Sequence, residues 1–181
     1  MVQALAGSQS AFEQIVLRYQ RPVISLIAGI TGDRALAEDL AQETFVKAFR
    51  SLAAFDTTRR LSSWLFRIAH NTAIDAMRRS RPPLARIETT RTASAPSNEP
   101  ATPPAPDPVE RMELGQALEA ALAELRPDQR AAIELRYESG LSFDEIGTVL
   151  GVPEATARSH VPRARKQLAR VVTAKGWAPP A

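Results

Sequence analysis

Residues 140–168 read GLSFDEIGTVLGVPEATARSHVPRARKQL, and this stretch predicts two helices joined by a tight turn. Ser142 is a favoured N-cap residue, and Glu145 three positions later completes a capping box at the start of the first helix. Gly151 stands where that helix must end, because glycine readily adopts the left-handed conformation of a helix C-terminus. The second helix is rich in arginine. A basic second helix after a tight turn is typical of the helix-turn-helix motif, which enters a DNA major groove.

The net charge of the 181-residue chain is only +3, but it is unevenly distributed. Residues 59–91 hold eight arginines and two acidic residues, and residues 153–175 hold six basic residues and one glutamate. Residues 110–145, in contrast, hold four basic and nine acidic residues. Two basic segments separated by acidic ones predict two contacts with nucleic acid and a surface for another partner.

Several classes of protein are disfavoured by the composition. The chain has no cysteine, which excludes a disulfide framework and fits a reducing cytoplasm. Its longest uncharged apolar run, residues 23–30, is too short to span a bilayer, and its start lacks the basic segment of a secretory signal. There is no phosphate-binding glycine loop, and His70 and His160 belong to no metal-spaced cluster. We therefore expect a soluble cytoplasmic protein that is not an enzyme and has no cofactor, metal site or small-molecule substrate.

A proline-rich segment divides the chain into two parts. Residues 82–108 hold eight of the fourteen prolines, which favours an extended linker that spans up to roughly 80 Å at ~3.1 Å per residue. Helical periodicity without strand-like alternation on either side predicts an all-α fold. The expected domains are a three-helix lobe at residues 1–81 and a helix-turn-helix lobe at residues 109–175.

Three helices are expected in the first lobe from the spacing of its apolar residues. Pro22 is expected to kink the first helix, and Asp33 to cap the second. The third helix is expected from about Ser62 to Arg79. The predicted apolar stripe of the second helix consists of Leu36, Leu40, Ala41, Thr44, Phe45, Ala48, Phe49 and Leu52.

Two stretches of the first lobe resemble a known family. DLAQETF at residues 39–45, followed by WLFRIAHNTAIDAMRR at residues 64–79, is similar to the extracytoplasmic-function group of bacterial RNA polymerase sigma factors. Residues 140–168 resemble the second DNA-binding lobe of the same family. The resemblance implies a dissociable initiation subunit in which residues 1–81 are region 2, which binds core RNA polymerase and the −10 element. Residues 109–175 would be region 4, which binds the −35 element, and an anti-sigma factor is an expected inhibitory partner.

The resemblance also implies which residues of the first lobe make contacts. Asp39 and Glu43 share a helix face that can meet arginines of the polymerase, whereas Leu40 and Phe45 favour core packing over partner contact. The implied polymerase-binding residues are Asp39, Leu40, Gln42, Glu43 and Phe45.

The third helix and the loop before it are implied to bind the −10 element. An aromatic ring can replace lost base stacking at ~1–3 kcal/mol per base, and an amide such as that of Asn71 can read a flipped base. Trp64 is equally compatible with a role as a core anchor. Arginines there would neutralise phosphates. The implied DNA-binding residues are Trp64, Arg67, Asn71, Arg78 and Arg79.

The basic helix of the second lobe is implied to read the −35 element. Arg158 is the best candidate for a bidentate guanine contact, and the later basic residues for backbone contacts. The implied residues are Glu154, Thr156, Arg158, Ser159, Arg163, Arg165 and Lys166.

Two residues of the second lobe depart from the family pattern. Pro162 predicts either a kink or a helix that ends near His160 and restarts. Gly147 is expected to weaken its helix by about 0.5–1 kcal/mol relative to alanine.

A helix-turn-helix regulator that acts without polymerase is the alternative function. In that case the first lobe would be a sensor or dimerisation module, and the isolated protein would bind duplex DNA with sequence specificity.

Overall fold

The computed structural model describes residues 9–80 and 108–174, and every regular element within them is a helix, as predicted. Most of the predicted linker, residues 82–107, lies outside the described residues, and Pro108 begins a helix. The first lobe comprises α1 (Gln9–Thr31), α2 (Arg34–Ser51), a 3₁₀ turn (Leu52–Ala54) and α3 (Leu61–Ser80). The second lobe comprises α4 (Pro108–Ala123), α5 (Pro127–Tyr137), α6 (Phe143–Leu150) and α7 (Glu154–Ala174).

The helix ends follow the local chemistry that the sequence predicts. The carboxylate of Asp33 accepts a hydrogen bond from the backbone N–H of Leu36 at 3.1 Å, which caps α2. The Ser142 hydroxyl accepts from the Glu145 N–H at 3.2 Å, and the Glu145 carboxylate accepts from the Ser142 N–H at 2.8 Å. Gly151 closes α6 with a φ of 68°, the left-handed conformation that glycine adopts most easily. The capping box and the helix stop are thus confirmed.

Proline does not end either of the two long helices that contain it. α1 passes through Pro22, and α7 passes through Pro162 as one helix. The alternative in which the basic helix stops near His160 and restarts is therefore wrong. Because proline has no N–H, the carbonyl of Arg158 lacks its helical donor, and the helix is held by its packing.

The first lobe is a three-helix bundle in which α1 packs against α2 and α3. Its largest fully buried side chains include Leu26 and Ile27 of α1 and Leu65 and Phe66 of α3. The predicted stripe of α2 is confirmed except at Phe49, which is 59% exposed. Phe49 contacts the edge of the Phe12 ring, with ring centroids 5.1 Å apart, at the margin of the core.

The second lobe is built around α7, which packs against α4, α5 and α6. The two lobes also touch, because α5 lies on α1 and α6 lies on α3. The buried apolar cluster runs through both lobes without a break. Within the described ranges, no helix has the length and apolar character needed to cross a membrane.

Candidate nucleic-acid interface

One side of α3 gathers most of the residues implied to bind the −10 element. Trp64, Arg67, Asn71 and Arg78 follow one another at spacings of three, four and seven residues, which places them on one helix face. The last three of these side chains are exposed. Trp64 is only half-buried, and its ring packs on Phe55 with ring centroids 5.0 Å apart. It therefore anchors the loop before α3 while part of the ring stays accessible. Arg79 is exposed beside this face.

A shallow pocket of about 400 Å³ lies beside Asn71, between α2 and α3. The ammonium of Lys47 donates to the Thr72 hydroxyl at 3.1 Å and pairs with the Glu43 carboxylate at 2.7 Å, which fixes one wall. Lys47 and Arg50 bring positive charge to this pocket, and sequence reasoning missed both. The only feature of the sequence that points to this pair is that the two basic residues stand three positions apart in α2. The lining residues are Lys47, Arg50, Ser51, Ile68, Asn71 and Thr72.

The exposed side of α2 carries the polar residues of the implied polymerase-binding set. Asp39 and Gln42 are exposed, and Glu43 is half-buried beside Lys47. Leu40 and Phe45, in contrast, are 5% and 8% exposed, so their side chains pack in the core of the first lobe. Two apolar residues extend the exposed side instead, since Val46 and Phe49 are 48% and 59% exposed. We call the surface formed by Asp39, Gln42, Val46 and Phe49 the α2 face.

The basic helix α7 is fixed by three small or branched residues and presents its charges to solvent. Ala157, Val161 and Ala164 are buried against the rest of the second lobe. The exposed residues of the implied set are Glu154, Arg158, Arg163, Arg165 and Lys166. Arg158 and Arg165, two turns apart, lie on one side of this surface, and Arg163 lies on the other.

Arg158 already has partners in the free chain. Its guanidinium pairs with Glu154 one turn earlier and lies over the Phe143 ring, 5.2 Å from the centroid. Both groups hold the side chain near the start of α7, which is the end that enters the groove in helix-turn-helix proteins. Ser159 and Thr156 are half-buried, and the Ser159 hydroxyl donates to the Thr156 carbonyl at 2.9 Å. These two hydroxyl residues are less accessible than the arginines.

The histidine on α3 does not add to the positive charge of this surface. Burial lowers the pKa of His70 from its usual 6.5, because the charged imidazolium would lose water, and its Nδ1 atom is buried without a hydrogen-bond partner. At neutral pH the charge of the α3 face therefore comes from its arginines. In the described part of the chain, no group of three or more acidic or histidine residues could hold a metal ion.

Replacing Pro162 by alanine should stabilise α7. The new N–H can donate to the Arg158 carbonyl, and alanine avoids the steric cost of a proline inside a helix, so we expect a gain of about 1–3 kcal/mol in the free energy of unfolding. Urea titration followed by circular dichroism measures this gain. If Pro162 shapes recognition, the affinity for the −35 element also changes, and an unchanged affinity and promoter preference would refute that role.

Two family models match the chain, one in each lobe. Residues 15–82 match the family model Sigma-70 region 2, and residues 115–168 match Sigma-70, region 4. The ECF RNA polymerase sigma factor SigW of Bacillus subtilis is 34% identical over 170 residues, which cover 92% of this chain and 91% of SigW. The RNA polymerase sigma-H factor of Pseudomonas aeruginosa is 36% identical over 168 residues, which cover 90% of this chain and 86% of that factor.

Two solved structures resemble most of the chain. CnrH, in complex with the cytosolic domain of CnrY, superimposes with a TM-score of 0.66 at 27% identity, over 96% of this chain and 94% of CnrH. The sigma factor RpoE of Bartonella quintana, in complex with the anti-sigma factor NepR, gives a TM-score of 0.63 at 25% identity, over 90% and 97% of the two chains.

A chain in which region 2 precedes region 4 has two of the modules that define a sigma-70-type initiation factor. This chain belongs to the ECF group of RNA polymerase sigma factors. It directs core polymerase to promoters, and the alternative of a regulator that acts without polymerase is not favoured.

Proposed function

We propose that the first lobe, residues 1–81, binds core RNA polymerase through the α2 face and the −10 element through α3. Residues 82–108 would act as the linker, and residues 109–175 would bind the −35 element through α7. The main support for this assignment is a shared face of α3, which lies beside the pocket lined by Lys47 and Arg50. This face consists of Trp64, Arg67, Asn71 and Arg78.

The pocket beside Asn71 gives a physical basis for opening the −10 element. A base that leaves the duplex needs a stacking surface and hydrogen bonds to its edge. Trp64 offers part of an aromatic ring, and the exposed amide of Asn71 lies at the pocket wall. Arg67 and Arg78 on one side, and Arg50 on the other, can neutralise the phosphates that flank an extruded base.

The α2 face suits a polymerase surface that is both basic and apolar. Asp39 and Gln42 offer acceptors for arginines, while Val46 and Phe49 offer apolar area that water otherwise covers. Leu40 and Phe45 support this face from the core and take part only indirectly.

Arg158 is the proposed base-reading residue of the second lobe. To grip a guanine it must exchange the carboxylate of Glu154 for the base edge, so Glu154 acts as a competitor that disfavours non-specific binding. Arg163, Arg165 and Lys166 are proposed to contact phosphates. Thr156 and Ser159 are close enough to the start of α7 to assist in those contacts.

The proposal also covers the binding partners of the protein and the cellular compartment in which it acts. An anti-sigma factor is a proposed partner, because RpoE was solved in complex with the anti-sigma factor NepR, and CnrH was solved in complex with the cytosolic domain of CnrY. We also propose that the protein acts in the cytoplasm, where polymerase and DNA are, and that it has no catalytic activity of its own.

Transcription by core polymerase over a pool of genomic promoters tests the function directly. The wild-type chain should give promoter-specific products that polymerase alone does not give. We expect Asn71→Ala and Arg158→Ala each to lower the yield about 5- to 150-fold, as the loss of a base contact worth about 1–3 kcal/mol predicts. Asn71→Ala should relax the preference at the −10 element, and Arg158→Ala at the −35 element.

Arg126→Ala serves as the matched control, because Arg126 is exposed between α4 and α5 and lies on neither DNA-binding face. It should transcribe like the wild type. The absence of any promoter-specific product from the wild-type chain, with no inhibitor present, contradicts the proposed function.

A further inference from the structure

The guanidinium of Arg158 is held by two partners that differ in kind. Glu154, one turn earlier on α7, offers a carboxylate that accepts from Nη2 of the arginine. The ring of Phe143 comes from α6, the other helix of the helix-turn-helix, and its centroid lies 5.2 Å from Cζ of Arg158. A carboxylate occupies N–H donors, whereas an aromatic ring attracts the flat face of a guanidinium. The two partners therefore leave different parts of Arg158 free.

The position of the Phe143 ring is fixed by its surroundings. Phe143 is the first residue of α6 and follows the N-cap Ser142, whose hydrogen bonds with Glu145 set the backbone at this point. The ring is half-buried and packs against the apolar core. The backbone and the core thus hold the ring beside the start of α7, where Arg158 lies.

A second arginine contacts the same ring. Cζ of Arg136, at the end of α5, lies 4.7 Å from the Phe143 centroid, and Nη1 of this arginine donates to the Leu141 carbonyl at 2.8 Å. This hydrogen bond ties Arg136 to the backbone just before α6. The ring therefore has a fixed neighbour besides the core, which limits the orientations that it can adopt.

A guanidinium that lies over a ring can still read a base. Its N–H donors lie in the plane of the group and point outward, and a guanine accepts two of them at O6 and N7. Glu154 must leave before this contact forms, because its carboxylate occupies one of these donors, but Phe143 can stay. The ring therefore keeps Arg158 ordered before and after DNA binding, so less side-chain freedom is lost on binding.

We propose that Phe143 is a positioning residue for the −35 element, which acts through Arg158 and strengthens the preference for guanine at the one base pair that Arg158 contacts. This inference rests on the proposed role of Arg158 as the base-reading residue of the second lobe. In this role Phe143 contacts the arginine and not the base. Loss of the ring should therefore change the base preference at one position of the element and leave the other positions unchanged.

Transcription by core polymerase from a promoter pool randomised at the −35 element tests this role with the full chain. Phe143→Leu keeps an apolar side chain but removes the ring face. We expect it to lower the guanine preference at the Arg158 position about 2- to 30-fold, as the loss of a cation–π contact predicts, with the preferences at the other positions unchanged. Phe143→Tyr retains the ring and should keep the wild-type preference.

Arg158→Ala identifies the position and completes a double-mutant cycle. It should abolish the guanine preference there, and adding Phe143→Leu should cause no further loss of preference, since the ring acts only through the arginine. A fluorinated phenylalanine at position 143 keeps the shape of the ring but withdraws π-electron density, so it should also lower the preference. Tyr137→Leu is the matched control, because it removes an exposed ring from the same lobe, and it should match the wild type.

Each outcome decides for or against the role of Phe143. A Phe143→Leu protein with the wild-type preference at the Arg158 position overturns the proposal. An equal loss of yield from all sequences also overturns it, because it indicates an effect on folding or on phosphate contacts, which carry no sequence information. If Phe143→Leu does not fold, the fluorinated ring decides, and an unchanged preference then overturns the proposal.

Failure of the proposed function gives a different result. If Arg158→Ala keeps every base preference of the wild type, Arg158 does not read the −35 element, and the role of Phe143 falls with it. If Arg158→Ala loses the guanine preference while the Phe143 variants keep it, only the role of Phe143 is overturned.

Discussion

The Gly147→Ala variant should be less stable than the wild type, although alanine is the better helix former. A Cβ at Gly147 in α6 would lie 2.7 Å from the carbonyl oxygen of Val152 and 3.3 Å from the backbone nitrogen of Glu154. Both are backbone atoms of the turn, so no side-chain rotation relieves the contact. The Val152 N–H also donates to the Gly147 carbonyl at 3.0 Å, which holds the turn against this helix. The sequence-based expectation that Gly147 weakens its helix by about 0.5–1 kcal/mol relative to alanine concerns helix propensity alone, and the close turn opposes that term.

The expected loss combines two opposing terms. Overpacking against fixed atoms costs about 1–3 kcal/mol, and the better helix propensity of alanine returns less than about 1 kcal/mol of it. We expect a net loss of about 1–2 kcal/mol for Gly147→Ala and a larger loss for Gly147→Val, measured as a lower urea midpoint at constant m-value. The same shift of the turn re-aims α7, so transcription that depends on the −35 element should fall as well.

Gly115→Ala is the matched control for the glycine substitution. Gly115 is also helical, but nothing lies within 4 Å of its added Cβ, so alanine there should be neutral or stabilising by up to about 1 kcal/mol. A Gly147→Ala protein that is as stable as the wild type would show that the turn can move at little cost.

The features that the sequence predicted well depend on neighbouring residues. The caps at Asp33 and Ser142 and the left-handed stop at Gly151 use atoms three or four positions apart, so the pattern contains all the necessary information. The stripe of α2 was predicted less well. Phe45 and Phe49 are one turn apart and differ by only about 40° around the helix, and the packing of α1 and α3 decides which one is buried.

The parts of the site that sequence reasoning missed lie between elements. Asn71 was identified through the family resemblance, but the cationic wall formed by Lys47 and Arg50 arises only when α2 is placed beside α3. A Cβ atom added to Gly29 of α1 would lie 3.1 Å from a carboxylate oxygen of Glu134, more than a hundred positions later in the chain, and neither residue carries a local signal. Pairings of this kind depend on how the helices pack, which helical periodicity does not specify.

Glu134 should make the stability of the protein fall as the pH rises through neutrality. The pKa of this carboxyl is raised from 4.5 to about 7, chiefly because burial removes water from the charged form; Arg130 opposes the rise and the neighbouring Glu138 adds to it. Because the folded chain holds the proton more tightly than the unfolded chain, the stabilisation is fully present below pH 4.5. It is lost as the pH rises from there through about 7. The shift corresponds to about 3 kcal/mol.

The Glu134→Gln variant isolates this contribution. Glutamine can still accept the hydrogen bond from Arg130 but has no charge to desolvate, so it should raise the free energy of unfolding by about 2–3 kcal/mol at pH 8. At pH 5 the two proteins should differ by less than about 1 kcal/mol. Urea titrations of both proteins between pH 5 and pH 8 measure the difference, in which the contributions of the other titrating groups largely cancel.

The control variant carries the same Glu→Gln substitution at an exposed position. Glu119 is exposed on α4, so Glu119→Gln should change the stability by no more than about 0.5 kcal/mol at any pH in this range. A Glu134→Gln difference that does not vary with pH would show that burial does not control this carboxyl. Since Gly29 of α1 lies against the Glu134 carboxylate, a larger side chain at position 29 that displaces this carboxylate should admit water and reduce the pH dependence.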